Sequence, residues 1–438
     1  MVVTGRALTG AAAGASLVVA AFLVPLLASP TWRAHLYAGT APIFGRWDIH
    51  AGVGTPFAVG LALGVVVIGP RLSLIASWRA LLGGTWVTAF TWALALALVD
   101  GWDTGFAQRL TTRDEYLSEV DGVSDIHAML SDFAARILDF QPDSWTTHVS
   151  GHPPGALLTF VVLDRIGLSG GAWAGMLCVV VGTSAVVSIL VTVRRLASEE
   201  LARAAAPFLA LGPVAIWIAV SADGLFAGVA AAALALLAIS ATADRWQSAF
   251  AGVAAGVLFG YALYLNYGLA LLAVPGCAVL IATRTLRPVV PVVVGALSVT
   301  AVFTAAGFWW FEGYHLVVER YYQGIASERP FSYWVWANLA AVVCAVGLAT
   351  AAALPMLLTP MRLRARDGLT LIVAGALAAV VIADLSALSK AETERIWLPF
   401  TVWLLTAPAV LPRNQIRWWL GIQAAGALLL AHTIFTNW

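Results

Sequence analysis

An adjacent pair of acids, Asp114 and Glu115, precedes Tyr116 in a long polar segment between two apolar runs. A carboxylate can act as a general base and remove a proton from a hydroxyl group. It can also accept hydrogen bonds from the backbone or from Arg113. Neighbouring residues on a helix point in different directions, so only one of the two acids is expected to face a site. Acidic pairs are also common in solvated loops, and the pair by itself leaves both roles open.

Two histidines, His148 and His152, precede a short apolar stretch, and His152 is followed directly by Pro153 and Pro154. Proline fixes φ, lacks an N–H and is favoured at the first position of a helix. A helix is therefore expected to begin at Pro154 or Gly155. A helix N-terminus favours an anionic group such as phosphate. The alternative is a rigid turn that carries surface histidines.

Two further charged sites lie later in the chain. Asp223, in the sequence SADGLF, falls between two apolar runs that predict a tight helical hairpin. An acid at membrane depth is costly and indicates a functional site, but at an exposed hairpin tip it would only cap the following helix. Lys390, Glu394 and Arg395 precede the apolar sequence IWLPF. The two cations could bind a lipid phosphate, or they could pair with the neighbouring glutamates.

These residues belong to a strongly apolar chain. Of its 438 residues, 61% are hydrophobic and 11% are charged, whereas soluble proteins carry about 25% charged residues. Repeated apolar runs that are long enough to cross a bilayer predict an all-α polytopic membrane protein with about thirteen transmembrane helices. No basic cluster with interleaved aromatic residues is present, so no nucleic-acid partner is expected. The three cysteines lie inside apolar runs and predict neither a disulfide framework nor a metal site.

The predicted spans alternate with short loops that are rich in arginine. They lie near residues 10–28, 53–69, 80–98, 170–193, 205–220, 224–241, 248–264, 267–284, 288–308, 334–357, 369–388, 396–412 and 418–435. Because arginine-rich loops stay inside, the N-terminus is expected in the cytoplasm. The whole chain, 1–438, is interpreted as a single membrane domain.

The longest polar segment, residues 99–169, is predicted to be an outer loop that contains juxtamembrane helices. One of these is expected to be amphipathic, because apolar residues recur at helical spacing: Val123, Ile126, Met129, Leu130, Phe133 and Ile137. The apolar stretch 155–166 is too short to span a bilayer. We therefore expect it to lie along the outer membrane surface.

Taken in order, these motifs resemble those of the GT-C superfold glycosyltransferases that use polyprenyl-phosphate sugars, in particular the branch of protein O-mannosyltransferases and aminoarabinose transferases. That branch has an acidic pair before an aromatic residue, matched here by Asp114-Glu115-Tyr116. It then has a His/Lys-Pro-Pro motif, matched by His152-Pro153-Pro154, and an Asp at an outer helix end, matched by Asp223. This sequence departs from the pattern in having two extra spans before the acidic loop and Gly155 in place of the usual leucine.

The resemblance implies a GT-C-like glycosyltransferase in the inner or plasma membrane, with its active site on the outer face. Such an enzyme moves a sugar from a polyprenyl-phosphate carrier to a glycan, lipid or protein acceptor in an inverting displacement, in contact with membrane lipids. The implied catalytic base is Asp114 first and Glu115 second. The expected substrate-binding residues are His148, His152, Asp223, Lys390, Glu394 and Arg395.

Within this group, Lys390 and Arg395 are expected on the carrier phosphate, with His152 nearby. The pattern requires no cofactor and names no metal ligands, although it leaves a divalent cation open. Two other classes of function fit the composition: a transporter or flippase for a lipid or amphipathic solute, and a non-catalytic membrane partner with the same fold. The concentration of acids on one face favours the enzyme, because transporters place such residues at the membrane midplane.

The predicted topology can be tested with single cysteines at Ser144 and Ser198. Ser144 lies in the segment 99–169 and Ser198 in an arginine-rich loop, so an impermeant thiol reagent should label them from opposite sides of the membrane. Labelling of both positions from the same side would overturn the placement of residues 155–166.

Overall fold

The apolar runs fold into helices, because a helix satisfies every backbone N–H and C=O within its own segment in lipid. The computed structural model describes residues 2–437, with side chains from residue 5 onward. The N-terminal part contains α1 (Val2–Leu27), α2 (Pro30–Ala34), β1 (Gly45–Trp47), α3 (Gly54–Ile75) and α4 (Trp78–Ala97). Helices α1 and α3 expose most of their apolar side chains, as expected for helices that face lipid.

Residues 99–169 form a series of short helices. A π-helical turn (Asp103–Ala107) and two 3₁₀ turns (Arg109–Thr111 and Ala134–Arg136) accompany α5 (Leu117–Val120), α6 (Ile126–Asp132), α7 (Thr147–Ser150) and α8 (Pro154–Arg165). The predicted amphipathic helix is shorter than expected, because α6 gives way to a 3₁₀ turn. Its apolar side is nevertheless buried, and the ring centroid of Phe133 lies 5.2 Å from that of Trp145 and 5.6 Å from that of Phe308.

The central helices pack around α12. This part of the chain contains α9 (Gly171–Leu196), α10 (Glu199–Ala210), α11 (Ala215–Ile218), α12 (Ala222–Thr242), α13 (Arg245–Leu265), a 3₁₀ helix (Tyr267–Leu272), α14 (Ala273–Thr283) and α15 (Val289–Ala305). Helix α12 is the most buried of the long apolar helices, and it packs against both α9 and α13. Its N-terminus is therefore held in a fixed position at one end of the bundle.

The remaining helices are shorter and more often bent. They are α16 (Trp310–Gln323), α17 (Phe331–Val346), α18 (Leu348–Leu357), α19 (Pro360–Ala365), α20 (Gly368–Leu385), α21 (Thr393–Ile396), α22 (Leu398–Leu404) and α23 (Ile416–Thr433), with 3₁₀ turns at Ile325–Ser327, Ala407–Val410 and Arg413–Gln415. Strand β2 (Ile434–Thr436) pairs antiparallel with β1, with Phe435 opposite Arg46. The end of the described chain is thus joined to the loop between α2 and α3.

Within residues 2–437, seven helices are long and apolar enough to cross a membrane, and the number rises to nine if each of two bent pairs is one span. The bends are 75° between α15 and α16 and 104° between α17 and α18. The chain is therefore a multi-pass helical membrane protein, as predicted. The number of thirteen spans stays a prediction, because several predicted spans are broken helices; the run 205–220, for example, is interrupted between α10 and α11.

Glycines allow the closest helix contacts. A Cβ atom at Gly256 in α13 would lie 2.0 Å from the carbonyl oxygen of Val292 in α15. A Cβ atom at Gly295 would lie 2.2 Å from the carbonyl oxygen of Val253. Small residues allow helix backbones to approach closely in membranes, where van der Waals packing drives helix association. The α13–α15 contact therefore requires glycine on both helices.

We expect Gly256→Leu to destabilise the protein, because the added side chain must push α13 and α15 apart. Overpacking of this kind costs about 1–3 kcal/mol, which should lower the thermal midpoint measured in detergent. Gly64→Leu is a matched control, because a Cβ atom at Gly64 in α3 meets no atom within 4 Å. An equal loss of stability in both variants would contradict the role of the glycine contact.

Candidate active site

The guanidinium of Arg395 is the centre of a buried charged cluster. Arg395 lies in the short helix α21 and is only 4% exposed. Its Nη1 is 2.9 Å from Oδ2 of Asp223, and its Nη2 is 3.3 Å from Oε2 of Glu392. Asp223 is 2% exposed, so both members of the first pair have lost their water. Removing one charge of such a pair is costly, because the other would stay buried without compensation.

The start of α12 carries Asp223 into this cluster. Ser221 caps the helix, and its Oγ accepts a hydrogen bond of 3.2 Å from the N–H of Gly224. Asp223 is therefore not the helix cap; its side chain leaves the first turn and meets Arg395. A carboxylate in the first turn is also stabilised by the partial positive charge at a helix N-terminus.

Glu115 and His148 form the second part of the cluster. His148 Nδ1 is 2.9 Å from the carbonyl oxygen of Asp114 and 3.3 Å from Oε1 of Glu115. On the other side of the ring, Nε2 is 3.3 Å from Nη2 of Arg395. Because Arg395 can only donate, we assign His148 as the neutral tautomer that carries its proton on Nδ1. Burial, aided by the charge of Arg395, lowers the pKa of His148 well below its ordinary value.

The environment of Glu115 favours its protonated form. Its side chain is 3% exposed, and burial raises the pKa of its carboxyl to about 7, against the opposing effect of Arg395 and with a further increase from Asp223. A carboxyl with a pKa near neutrality can exchange protons at physiological pH, which suits general acid–base catalysis.

Aromatic rings surround the acids. The Tyr116 ring stacks on His148 at a centroid distance of 6.1 Å and lies 5.3 Å from the ring of Phe160 in α8. His152 lies 5.7 Å from Tyr116 and 5.6 Å from Phe226 in α12. Its Nδ1 is 2.7 Å from the carbonyl oxygen of His148. The His-Pro-Pro motif therefore brings both histidines to the site.

As predicted, α8 begins at Pro154, directly after this motif. Gly155 is required next, because a Cβ atom there would lie 2.5 Å from the carbonyl oxygen of Tyr264 at the end of α13. The glycine that replaces the usual leucine of this motif thus lets α8 approach α13 closely.

Three buried oxygens in this region have no hydrogen-bond partner among residues 5–437. They are Oε2 of Glu115, Oδ1 of Asp223 and the hydroxyl of Tyr116. Buried polar atoms are normally paired, so the unpaired oxygens mark acceptors that a ligand with O–H or N–H groups could satisfy.

Asp114 is placed differently from its neighbour. Its side chain is exposed, and its Oδ1 accepts a hydrogen bond of 3.3 Å from Thr147 Oγ1. Its backbone carbonyl, not its carboxylate, contacts His148. The structure thus brings Glu115, rather than Asp114, to Asp223 and Arg395.

Lys390 lies at the edge of the cluster. Its Nζ donates a hydrogen bond of 2.9 Å to the carbonyl oxygen of Ala326 and lies 5.5 Å from the ring centroid of Tyr322. Within residues 5–437, its ammonium makes no ion pair with the acids of the cluster. Its backbone carbonyl accepts a hydrogen bond of 2.7 Å from Nη1 of Arg329, which also lies 3.3 Å from Glu392.

Glu394 points away from Asp223. Its Oε1 accepts a hydrogen bond of 2.9 Å from the N–H of Phe44, so it faces the loop between α2 and β1. Burial raises the pKa of this carboxyl to about 7. Glu394 was expected to bind substrate together with Arg395, but the structure gives its carboxyl a different neighbour from that of Arg395.

Two residues of the cluster, Glu392 and Arg329, were not among the predicted site residues. Glu392 joins Arg395 to Arg329, and both arginines are at most 6% exposed. Pairing of Arg395 with a neighbouring glutamate was one of the two alternatives for this loop, and Glu392 is that glutamate. The pairing of Glu392 with Arg329 connects positions far apart in the chain, and no local spacing reveals it.

Comparisons with known proteins add the fold. No family model matches the chain, and no curated protein matches it. The oligosaccharyltransferase of Archaeoglobus fulgidus in the apo form aligns with a TM-score of 0.52 and 10% identity, over 82% of this chain and 57% of that one. The chain has the GT-C fold.

Other GT-C structures align less well. ArnT from Cupriavidus metallidurans in the apo state gives a TM-score of 0.49 and 16% identity, over 80% of this chain and 76% of that chain. The same protein bound to undecaprenyl phosphate gives a TM-score of 0.45 and 17% identity, over 74% of this chain and 60% of that chain. The chain therefore spans little more than half the length of the archaeal GT-C enzyme and about three quarters of apo ArnT.

As for metals, residues 2–437 contain no group of three or more His, Cys, Asp or Glu placed to hold an ion.

We expect Arg395→Gln to destabilise the protein by about 3–5 kcal/mol, because Asp223 would stay buried without its countercharge. Arg395→Gln/Asp223→Asn should recover part of the loss, since the uncompensated charge is removed. The measurement is the thermal midpoint in detergent. Arg413→Gln is the control, because Arg413 and its partner Glu200 are exposed. A stability of Arg395→Gln equal to that of the control would rule out the pairing as a structural element.

Proposed function

We propose that the chain is a membrane glycosyltransferase that moves a sugar from a polyprenyl-phosphate carrier to a hydroxyl group of an acceptor, with inversion. The supporting observation is the pair of unpartnered carboxylate oxygens, on Glu115 and Asp223, that are buried beside Arg395 within the described chain. A buried carboxyl with a strongly raised pKa, such as that of Glu115, is typical of catalytic sites. The GT-C fold supports the same class of reaction, and the donor, the acceptor and the outer-face location belong to the proposal.

In this proposal Glu115 is the general base. Its carboxyl has no guanidinium partner at hydrogen-bond distance, one of its oxygens has no partner within residues 5–437, and its pKa is raised to about 7. Asp223 is less suitable because Arg395 binds one of its oxygens at 2.9 Å. Asp114 is less suitable because its carboxylate is exposed. The preference of the sequence analysis for Asp114 over Glu115 is therefore reversed.

The reaction follows from these positions. Glu115 removes the proton from the acceptor hydroxyl, and the acceptor oxygen attacks the anomeric carbon of the sugar. The bond between that carbon and the phosphate oxygen breaks, and the carrier phosphate leaves with the electron pair. Asp223 is placed to accept a hydrogen bond from the sugar or the acceptor, and Arg395 fixes its orientation.

The leaving phosphate needs positive charge that is not already neutralised. Arg395 forms ion pairs with Asp223 and Glu392, so it is better suited to orienting these acids than to binding the phosphate. An ammonium has three hydrogen-bond donors. Within the described residues, Lys390 uses one of them in the hydrogen bond to the carbonyl oxygen of Ala326. We therefore propose Lys390 as the cation for the carrier phosphate, with His152 nearby.

The test is a transfer assay in vesicles with a panel of radiolabelled polyprenyl-phosphate sugars. We expect Glu115→Gln to lower turnover by at least about a hundredfold, because a general base contributes on that scale. Asp114→Asn is the matched control and should change turnover little. Near-normal turnover of Glu115→Gln would reject the assignment, and no transfer from any donor would favour the transporter or the non-catalytic partner.

The same assay should show a pH dependence that belongs to Glu115. The base acts only when deprotonated, and burial raises its pKa to about 7. The rate should therefore rise as the pH increases through about 7 and level off above it. Glu394→Gln should keep this rise, because the Glu394 carboxyl is bound to Phe44. Loss of the rise in Glu394→Gln would show that the titration belongs to Glu394 and not to Glu115.

A further inference from the structure

A cavity lies beside the cluster, between α5, α8 and the start of α9. Its volume is about 290 Å³, near the lower end of the range for small-molecule sites, which is about 300–1,000 Å³. Its wall combines apolar side chains, including Phe160 and Leu117, with the polar side chains of Ser118, Asp121, Asp164 and Ser169. A wall of this mixed composition can recognise a ligand that has both polar groups and an apolar face.

The charge of the cavity wall is negative. Asp121 and Asp164 both line it, and within residues 5–437 neither carboxylate takes part in a hydrogen bond or an ion pair. No lysine or arginine lines the cavity. The nearest arginine in sequence, Arg165, donates hydrogen bonds of 3.1 and 2.8 Å to the carbonyl oxygens of Val123 and Ser124. The wall therefore offers hydrogen-bond acceptors and disfavours an anion such as a phosphate.

Residues of the cavity wall contact the segment that carries the proposed base. Phe160, on its wall, lies 5.3 Å from the ring of Tyr116, which packs on His148. Ser118, also on the wall, donates a hydrogen bond of 2.6 Å from its Oγ to the carbonyl oxygen of Glu115. A ligand in the cavity would thus lie next to the peptide segment that holds the base.

We propose that this cavity, termed the acceptor pocket, binds one saccharide unit of the acceptor. This inference rests on the proposed function. The hydroxyl groups of a sugar donate hydrogen bonds to Asp121 and Asp164, and the C–H face of its ring packs on Phe160. The negative wall keeps the donor phosphate out, so the acceptor pocket and the phosphate site are separated by charge. The volume of about 290 Å³ is large enough for a single sugar ring.

The experiment measures binding of simple glycosides to the purified full-length protein in nanodiscs, without any donor, by saturation-transfer NMR. The probes are a neutral methyl hexoside, the corresponding methyl amino-hexoside and the corresponding methyl hexuronide. The neutral and amino probes should bind, and the hexuronide should bind at least tenfold more weakly because its carboxylate faces two others. The difference in affinity between the neutral and the amino probe shows whether hydroxyl groups alone are sufficient for binding.

Two variants test the location of binding. Asp121→Asn/Asp164→Asn should weaken binding of the neutral probe at least tenfold, because the amide is a weaker acceptor. Ser169→Trp, which fills the pocket from an exposed position, should abolish binding even if the double variant folds poorly. Asp132→Asn is the control, because Asp132 is exposed and does not line the cavity. Unchanged binding in both pocket variants, or hexuronide binding as tight as that of the neutral probe, overturns the proposal.

Failure of the acceptor pocket can be distinguished from failure of the proposed transferase function. If no sugar is transferred but binding depends on Asp121 and Asp164, the pocket stands and the transferase proposal fails. If sugar is transferred and the acceptor KM is unchanged in Asp121→Asn/Asp164→Asn, the pocket fails and the transferase stands. A rise of at least tenfold in the acceptor KM, with the donor KM unchanged, supports both.

Discussion

The ion pair between Arg395 and Asp223 is the interaction on which the arrangement of the site depends. Its two charges are almost completely buried, and the nitrogen and oxygen are 2.9 Å apart. Burial of either charge alone would cost several kcal/mol, so the N-terminus of α12 and the short helix α21 must stay together. Once they do, Glu392 binds the second guanidinium nitrogen, and His148 is held between Arg395 and the backbone of Asp114. Glu115 is then positioned by its neighbours, with a carboxyl that can change its protonation state near neutral pH.

The long helices form the scaffold, and most of the charged residues of the cluster lie on short, irregular segments. Glu115 and His148 come from the series of short helices over residues 99–169, Asp223 from the first turn of α12, and Arg395 from a four-residue helix that follows a turn. Ala391 and Glu392 in that turn have positive φ values of 72° and 62°, a conformation that only strongly held residues adopt. The ion pairs of Glu392 with both arginines provide that constraint, so the charged cluster also determines the local backbone.

Much of this could be predicted from the sequence, and the failures have identifiable causes. The helical membrane fold and the start of α8 at Pro154 follow from apolar run lengths and proline chemistry. Asp223 and Arg395 were both expected to bind substrate, but their pairing with each other was not expected. Hydropathy cannot show that α15 and α17 are followed by bends of 75° and 104°, because a bent apolar run has the same composition as a straight one. Asp114 and Glu115 are adjacent and chemically equivalent, and only tertiary packing decides which side chain is buried. The pairing of Arg329 with Glu392 joins distant loops and leaves no local pattern.

The hydrogen bond from Phe44 to Glu394 and the ion pair of Arg395 with Asp223 connect the last quarter of the chain to much earlier segments. Proteins are synthesised from the N-terminus, so Asp223 emerges from the ribosome well before its countercharge, Arg395, does. During insertion this acid lacks its ion-pair partner, and an unpaired charge inside a membrane is costly. Synthesis of α21 is therefore the step that supplies the countercharge of Asp223. A chain that ends before residue 395 would contain most of the helices but would leave Asp223 without its countercharge.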